Sequence, residues 1–170
     1  VENKLQLDKV LAVRRELPDL KWIVTMRGAP DVDDPQVLTW DEFLATGAGA
    51  TDAAFDDRLA AIRPDDLATL IYTSGTTGPP KGVMLTHSNL TWTADKSRDV
   101  LPLSSDDSSV SYLPLSHIAE QMFSIHIPIS IGYPVYFAES IEGLLDNLKE
   151  VRPSVFFAVP RVWEKFHAGV

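Results

Sequence analysis

The stretch Leu70-Ile71-Tyr72-Thr73-Ser74-Gly75-Thr76-Thr77-Gly78-Pro79-Pro80-Lys81-Gly82-Val83-Met84 runs an apolar segment into a loop of hydroxyls, glycines and one lysine. Gly75, Gly78 and Gly82 permit backbone conformations that bring amide N–H groups close to an anion. Thr73, Ser74, Thr76 and Thr77 add hydroxyl donors. Lys81 adds a mobile positive charge, suited to phosphate oxygens or to charge developing on them. Pro79-Pro80 stiffens the far limb. Together these residues describe a cradle for a polyphosphate. The loop is not a Walker A motif, because Lys81 is followed by Gly82 and Val83 rather than by Ser or Thr. No G-x-G-x-x-G is present either. A surface turn rich in small residues is the bland alternative, and the unbroken run of phosphate-compatible residues behind a strand argues against it.

A second candidate is Ser111-Tyr112-Leu113-Pro114-Leu115-Ser116-His117-Ile118-Ala119-Glu120-Gln121. A histidine just past a strand end lies on the edge of the sheet where ligands bind. His117 can contact a substrate, or its ring can tie down the loop; the residues alone leave both open. Glu120 and Gln121 can line a pocket mouth or a half-exposed helix face. His126 sits among apolar neighbours, as a packed histidine would. The four histidines lack metal-ligand spacing and cysteine is absent, so neither zinc nor thiolate chemistry is expected, and no metal ligands are assigned.

Positioning these loops requires alternating strands and helices. Leu7, Val10, Leu11 and Leu17 fit a first helix ending near Pro18. Residues 22–26 read as a strand, and 27–51 as irregular apart from a turn of helix at 41–45. A helix capped by Thr51 or Asp52 carries Phe55, Leu59 and Ile62, and Pro64 stops it. Strands are expected at 68–73, 110–113, 134–137 and 155–159, with 83–85 extended. Helices are expected from Thr86 or Ser88 to about 100, from 114 to about 129, over 141–150 behind Ser140, and from Pro160 onward. This alternation predicts an α/β fold, a mostly parallel sheet flanked by helices. It also suggests two regions: an acidic helical and irregular connector over 1–64, and an α/β subdomain over 65–170.

Composition narrows the partners. The chain has 170 residues, 45% apolar, with 15 Lys and Arg against 24 Asp and Glu, a net charge of −9. No basic block offsets that charge, so nucleic acid is not an expected partner. The acidic excess gathers at Asp31, Asp33, Asp34, Asp41, Glu42, Asp52, Asp56, Asp57, Asp65 and Asp66 and reads as a solvated face. No apolar run is long enough to span a bilayer. The chain begins without Met and ends on a helical pattern, which suggests a piece of a longer protein.

The loop sequence from Tyr72 to Val83, with its continuation Met84-Leu85-Thr86-His87-Ser88-Asn89-Leu90, closely resembles the signature of the adenylate-forming (AMP-binding) superfamily. That superfamily includes acyl-CoA synthetases, luciferases and peptide-synthetase adenylation domains. The resemblance implies that Thr73, Ser74, Gly75, Thr76, Thr77, Gly78 and Lys81 hold the β and γ phosphates of ATP, with Lys81 and Thr76 in catalytic roles. It implies that His117, three residues after Pro114, borders the acyl pocket, with Gln121 beside it as a second substrate contact. Leu113 to Glu120, and Pro153-Ser154-Val155-Phe156-Phe157-Ala158-Val159-Pro160-Arg161-Val162-Trp163-Glu164-Lys165, look most like long-chain and very-long-chain fatty-acid–CoA ligases of the bubblegum type. Ser154 departs from the Thr usual there.

The resemblance implies a large N-terminal domain of which this chain is part. The expected reaction joins a long-chain fatty acid to AMP, releasing pyrophosphate, and then passes the acyl group to coenzyme A. Mg²⁺ is expected, with its ligands largely outside this segment. So are the adenine and ribose contacts and a lysine from a mobile C-terminal domain. The partners implied are therefore the fatty acid and the rest of the protein's own domains, with homo-oligomerisation left open. The location implied is cytoplasmic or peripheral at a membrane surface. Alone, the segment is expected to bind ATP weakly and to show no ligase turnover. Alternatives are an adenylating enzyme for an aryl acid, an amino acid or a luciferin-like acid, and a non-catalytic nucleotide-binding module. A P-loop phosphotransferase is disfavoured by the position of Lys81.

Overall fold

The computed structural model describes residues 1–26, 32–74 and 78–168. The chain divides into two compact units, Val1–Ala61 and Ile62–Val170. Asp31 of the acidic cluster lies outside the described residues.

In the first unit, α1 (Lys4–Val13) starts where the Asn3 side chain accepts the Gln6 amide, and it tightens into a 3₁₀ turn (Arg14–Glu16) just ahead of Pro18. β1 (Ile23–Thr25) pairs in parallel with β2 (Val37–Thr39), in register Ile23 opposite Val37. α2 (Trp40–Thr46) follows at once, closed by a Thr39–Glu42 capping box, and α3 (Asp52–Ala61) begins where Thr51 Oγ accepts the Ala54 amide. Leu7, Ile23 and Thr25 are buried. The sequence marks 27–51 as irregular apart from a turn of helix at 41–45; that turn lies within α2, while β2 is unforeseen. Three residues of strand carry almost no periodicity of their own; β2 exists because β1 supplies its partner.

The second unit carries both candidate loops. β3 (Leu67–Thr73) and β4 (Lys81–Thr86) form an antiparallel hairpin, with Thr73 opposite Lys81 and Ile71 opposite Val83. The apolar run before the glycine loop therefore leads into a returning strand rather than directly into a helix. A Thr86–Asn89 capping box then starts α4 (His87–Val100). β5 (Ser109–Ser111) is buried along its length and pairs in parallel with β6 (Val135–Phe137). Between them run α5 (Ile118–Gln121), a π turn (Met122–His126) and α6 (Ile127–Ile131), ended by Gly132 at φ 98°. α7 (Leu144–Val151) and α8 (Pro160–Ala168) complete the unit, α8 opening on proline as expected.

After α7 the chain returns to the other side of β5, where Val155 makes a parallel bridge to Ser109. A continuous strand expected over 155–159 is reduced to that bridge. The Val159 amide is taken by the Tyr112 hydroxyl at 3.3 Å, and Phe156 packs against Tyr112, Trp163 and Phe166 with ring centroids 5.6–6.3 Å apart. Side-chain packing replaces the ladder there. Ser154 anchors this return: its Oγ accepts the Ser108 amide at 3.0 Å and donates to Asp107 at 2.7 Å. A hydroxyl at this position therefore has a structural task that Thr can also perform. Ser154→Thr should leave thermal stability unchanged, and Ser154→Ala should lower it by about 1 kcal/mol, read from denaturant midpoints.

The core of the unit is Leu90 and Ala94 of α4, Met122 of the π turn, Ile127 of α6 and Tyr133. Ala68 and Leu85 from the hairpin and Val135 from β6 pack against it. This cluster joins the element that carries one candidate loop to the element that carries the other.

Candidate active site

The hairpin register sets the mouth of the glycine loop. Tyr72 lies opposite Gly82 and Thr73 opposite Lys81. Ser74, Gly78, Pro79, Pro80, Lys81 and Gly82 are all exposed. Among the described residues no carboxylate pairs with the Lys81 ammonium. Gly78 has φ 154°, a conformation that resists a side chain, and Pro79-Pro80 follow it directly. Gly75, Thr76 and Thr77, expected to line the cradle, lie outside the described residues.

Gly82 has a second reason to be glycine. A Cβ there would lie 3.3 Å from the Tyr72 ring across the hairpin. The ring covers the bare backbone next to Lys81, as aromatic side chains do over strand glycines. Gly82→Val should push the Tyr72 ring aside and open the hairpin mouth. In the full-length protein the expected result is a several-fold higher KM for ATP, with a Tyr72→Ala variant already showing most of that rise.

The second loop leaves β5 at Ser111. His117 is exposed and caps α5: its Nδ1 accepts the Ala119 amide at 3.2 Å. The ring therefore carries its proton on Nε2, which points away from the cap. Gln121 Nε2 donates to the Leu115 carbonyl at 2.7 Å, closing the 115–121 turn. Both side chains that were expected to meet substrate also hold the loop, so the two uses left open for His117 are compatible. Among the described residues no hydrogen bond joins this loop to the 73–82 loop.

Glu120 departs from expectation. It is 3% exposed rather than on a half-exposed face. Its carboxylate accepts from the Ser111 hydroxyl, from Ser124 Oγ at 2.6 Å and from the Leu113 amide at 3.3 Å. Ser124, one helical turn beyond Glu120, is a local donor that sequence could suggest; Ser111 and Leu113 reach the carboxylate only through the fold. Burial also raises the Tyr112 phenol above its ordinary pKa, the Val159 amide works against that shift, and the Glu120 charge adds to it.

His126 lines a small cavity of about 170 Å³ between α4 and α6, with Leu90, Ala94, Asp95 and Ile129. Burial lowers its pKa, and the nearby His87 lowers it further. The unfolded chain then binds that proton more readily than the folded one. The stabilisation is complete above the unfolded value of about 6.5 and is lost as pH falls below it towards the lower folded pKa. His126→Gln should flatten this part of the stability–pH curve, checked by urea midpoints at pH ~7.5 and ~5.5.

A larger cavity of about 550 Å³ lies between α7 and α8, lined by Leu144, Leu145, Val162, Lys165 and Phe166 among others. None of the expected site residues lines it. Among the described residues no group of three or more His, Asp or Glu side chains gathers as a metal-ligand set. No described helix is long and apolar enough to cross a membrane.

The strand order places the second loop. β5 has β6 on one side and the Val155 bridge on the other. The chain leaves β5 toward β6 on one side and returns, by way of α7, to a bridge on the other side of β5. The crevice at the carboxyl ends of β5 and the 155–159 segment is on the edge of the sheet where α/β proteins bind ligands. The 112–117 loop and the start of α8 flank it, tied together by the Tyr112–Val159 hydrogen bond.

A protein-family model described as AMP-binding enzyme matches residues 2–169. The chain is 45% identical over 172 residues to the long-chain-fatty-acid–CoA ligase ACSBG2 of Xenopus laevis, covering 97% of this chain and 23% of that protein. It is 44% identical over 175 residues to the human ACSBG2, covering 100% of this chain and 26% of that protein. The chain thus spans about a quarter of the length of the curated relatives it matches. Among solved structures, an anthranilate CoA ligase, AuaEII, in complex with anthranoyl-AMP superposes with a TM-score of 0.75 at 23% identity, over 95% of this chain and 30% of that one. ATP-bound MatB from Rhodopseudomonas palustris superposes with a TM-score of 0.67 at 25% identity, over 96% and 30%. These likenesses establish the α/β fold.

Proposed function

The chain belongs to the AMP-binding enzyme family, and from that premise we propose that it supplies the ATP phosphate loop and part of the acyl site of a long-chain-fatty-acid–CoA ligase. The observation that carries this reading is the 45% identity with a ligase of that specificity, extending across 97% of the chain. The exposed hairpin mouth supports it, with a lysine that no described carboxylate neutralises, because such a mouth is what a triphosphate needs.

Thr73, Ser74 and Gly78, with Gly75, Thr76 and Thr77 beyond the described part of the loop, bind the β and γ phosphates. Lys81 and Thr76 meet the charge that develops on them. His117 presents Nε2–H toward the fatty acid at the carboxyl end of β5, with Gln121 beside it as a second contact. Positioning and charge neutralisation lower the barrier; no side chain attacks the substrate. ATP is the nucleotide of this reading and coenzyme A the acyl acceptor. Mg²⁺ belongs to it as well, and its contacts are assigned to the remainder of the protein. The protein works in the cytoplasm or at a membrane surface with the remainder of its own domains.

The experiment is pyrophosphate release by the full-length protein with palmitate, ATP and Mg²⁺, against a panel of aryl and amino acids. Turnover with palmitate and not with the others is expected. Preference for an aryl or amino acid would replace the fatty acid in this reading and keep the adenylation. The 1–170 chain alone should show no turnover in the same assay, and robust pyrophosphate release from it would overturn the division of labour.

A further inference from the structure

We propose that Glu120 is a positioning residue that holds His117 in a single orientation and protonation pattern at the acyl site. The inference deepens the reading above and rests on it for the identity of the acid. Its basis is a convergence of bonds on one buried side chain. The Glu120 carboxylate accepts hydrogen bonds from three places: the last residue of β5 through Ser111, the strand exit through the Leu113 amide, and the π turn through Ser124. The Glu120 amide, in turn, donates to the His117 carbonyl at 3.0 Å. The next residue back, Ala119, donates its amide to the His117 ring.

One buried charge therefore fixes both ends of the 112–117 excursion. The strand end cannot move relative to the helix without breaking a bond to the carboxylate, and the helix start cannot shift without moving the amide that selects the His117 tautomer. Glu120 touches neither ATP nor acid in this arrangement; it acts through His117. A buried carboxylate costs desolvation unless fully satisfied, and this one is satisfied by donors that all belong to the loop and its supports. The π turn that directly follows is an irregularity of the kind found next to functional sites, and it is what Ser124 belongs to.

The test uses the full-length protein and the variants Glu120→Ala, Glu120→Gln, Ser124→Ala and His117→Ala. Glu120→Gln keeps the volume and one acceptor, and Ser124→Ala removes one donor, so both keep the question answerable if Glu120→Ala fails to fold. Expected in Glu120→Gln is a KM for palmitate raised about tenfold, with the KM for ATP within about twofold, because displacement of a positioned group costs on this scale. Adding His117→Ala to Glu120→Gln should bring no further change, the mark of two residues acting as one unit. Independently, ¹⁵N signals of the His117 ring, identified by their loss in His117→Ala, should report one Nε2–H tautomer in the wild type and a mixture in the Glu120 variants. An unchanged His117 tautomer, or effects of Glu120 and His117 that simply multiply, would overturn the inference. If the wild type does not turn over palmitate, the ligase reading falls, and the ring signals still decide whether Glu120 sets His117.

Discussion

Lys81→Ala in the full-length protein lowers the rate of acyl-adenylate formation by about 10²–10³-fold, the loss seen when one preorganised donor to developing charge is removed. Lys81 is exposed, and among the described residues no carboxylate pairs with it, so its charge is available to a ligand. Its backbone is held by pairing with Thr73, which places the side chain at the loop mouth with little freedom at its base. The substitution removes the ammonium and leaves the hairpin, since no packing in the core depends on Lys81. In the proposed reaction the lysine meets negative charge that grows as the bond to the α phosphorus changes hands, so the loss should fall mainly on kcat. Lys81→Arg should recover part of the rate: the charge returns, but a planar fork replaces a compact point charge. Pyrophosphate release with palmitate, ATP and Mg²⁺ measures all three proteins. A Lys81→Ala protein with undiminished release would remove the phosphate-cradle assignment altogether.

The candidacy of the loop is legible in the sequence because its residues are contiguous. Glycines, hydroxyls and a lysine in one run point to a phosphate cradle without reference to the rest of the chain. The capping threonines are legible for the same reason: Thr86 and Thr51 cap α4 and α3 as their positions suggest. The α/β class follows from alternation, and Pro160 marks the start of α8. What stays hidden depends on partners distant in sequence. β2 exists through β1, and the stretch after Val155 loses its ladder to an aromatic cluster built from Tyr112, Phe156, Trp163 and Phe166. The pairing of β4 is hidden too: residues 83–85 read as extended, but nothing in the loop declares that they return antiparallel to the strand before it. Glu120 shows the limit most clearly. A glutamate in a helix is ordinarily solvated, and nothing short of the folded arrangement brings Ser111, Leu113 and Ser124 around it.

Ile127→Ala destabilises the second unit by about 2–5 kcal/mol, the range for truncating a fully buried large aliphatic side chain. Ile127 is 1% exposed and sits among Leu90, Ala94, Met122 and Tyr133. It begins α6 immediately after the π turn, so the backbone around it is already committed to an irregular path and cannot easily close over a void. The natural control is two residues away. Ile129 is 79% exposed on the same short helix, and Ile129→Ala should change stability by no more than about 0.5 kcal/mol. Helix propensity favours alanine at both positions, so any difference between the two variants is packing. Urea midpoints of the two proteins supply the comparison. The cavity would lie between α4 and the π turn, hence between the element that follows the phosphate hairpin and the element that carries Ser124. Loss of Ile127 should therefore weaken adenylation at temperatures well below global unfolding, as the two loops lose their common support. Equal midpoints for the two variants would mean that the Leu90–Met122–Ile127 core does not carry the unit's stability.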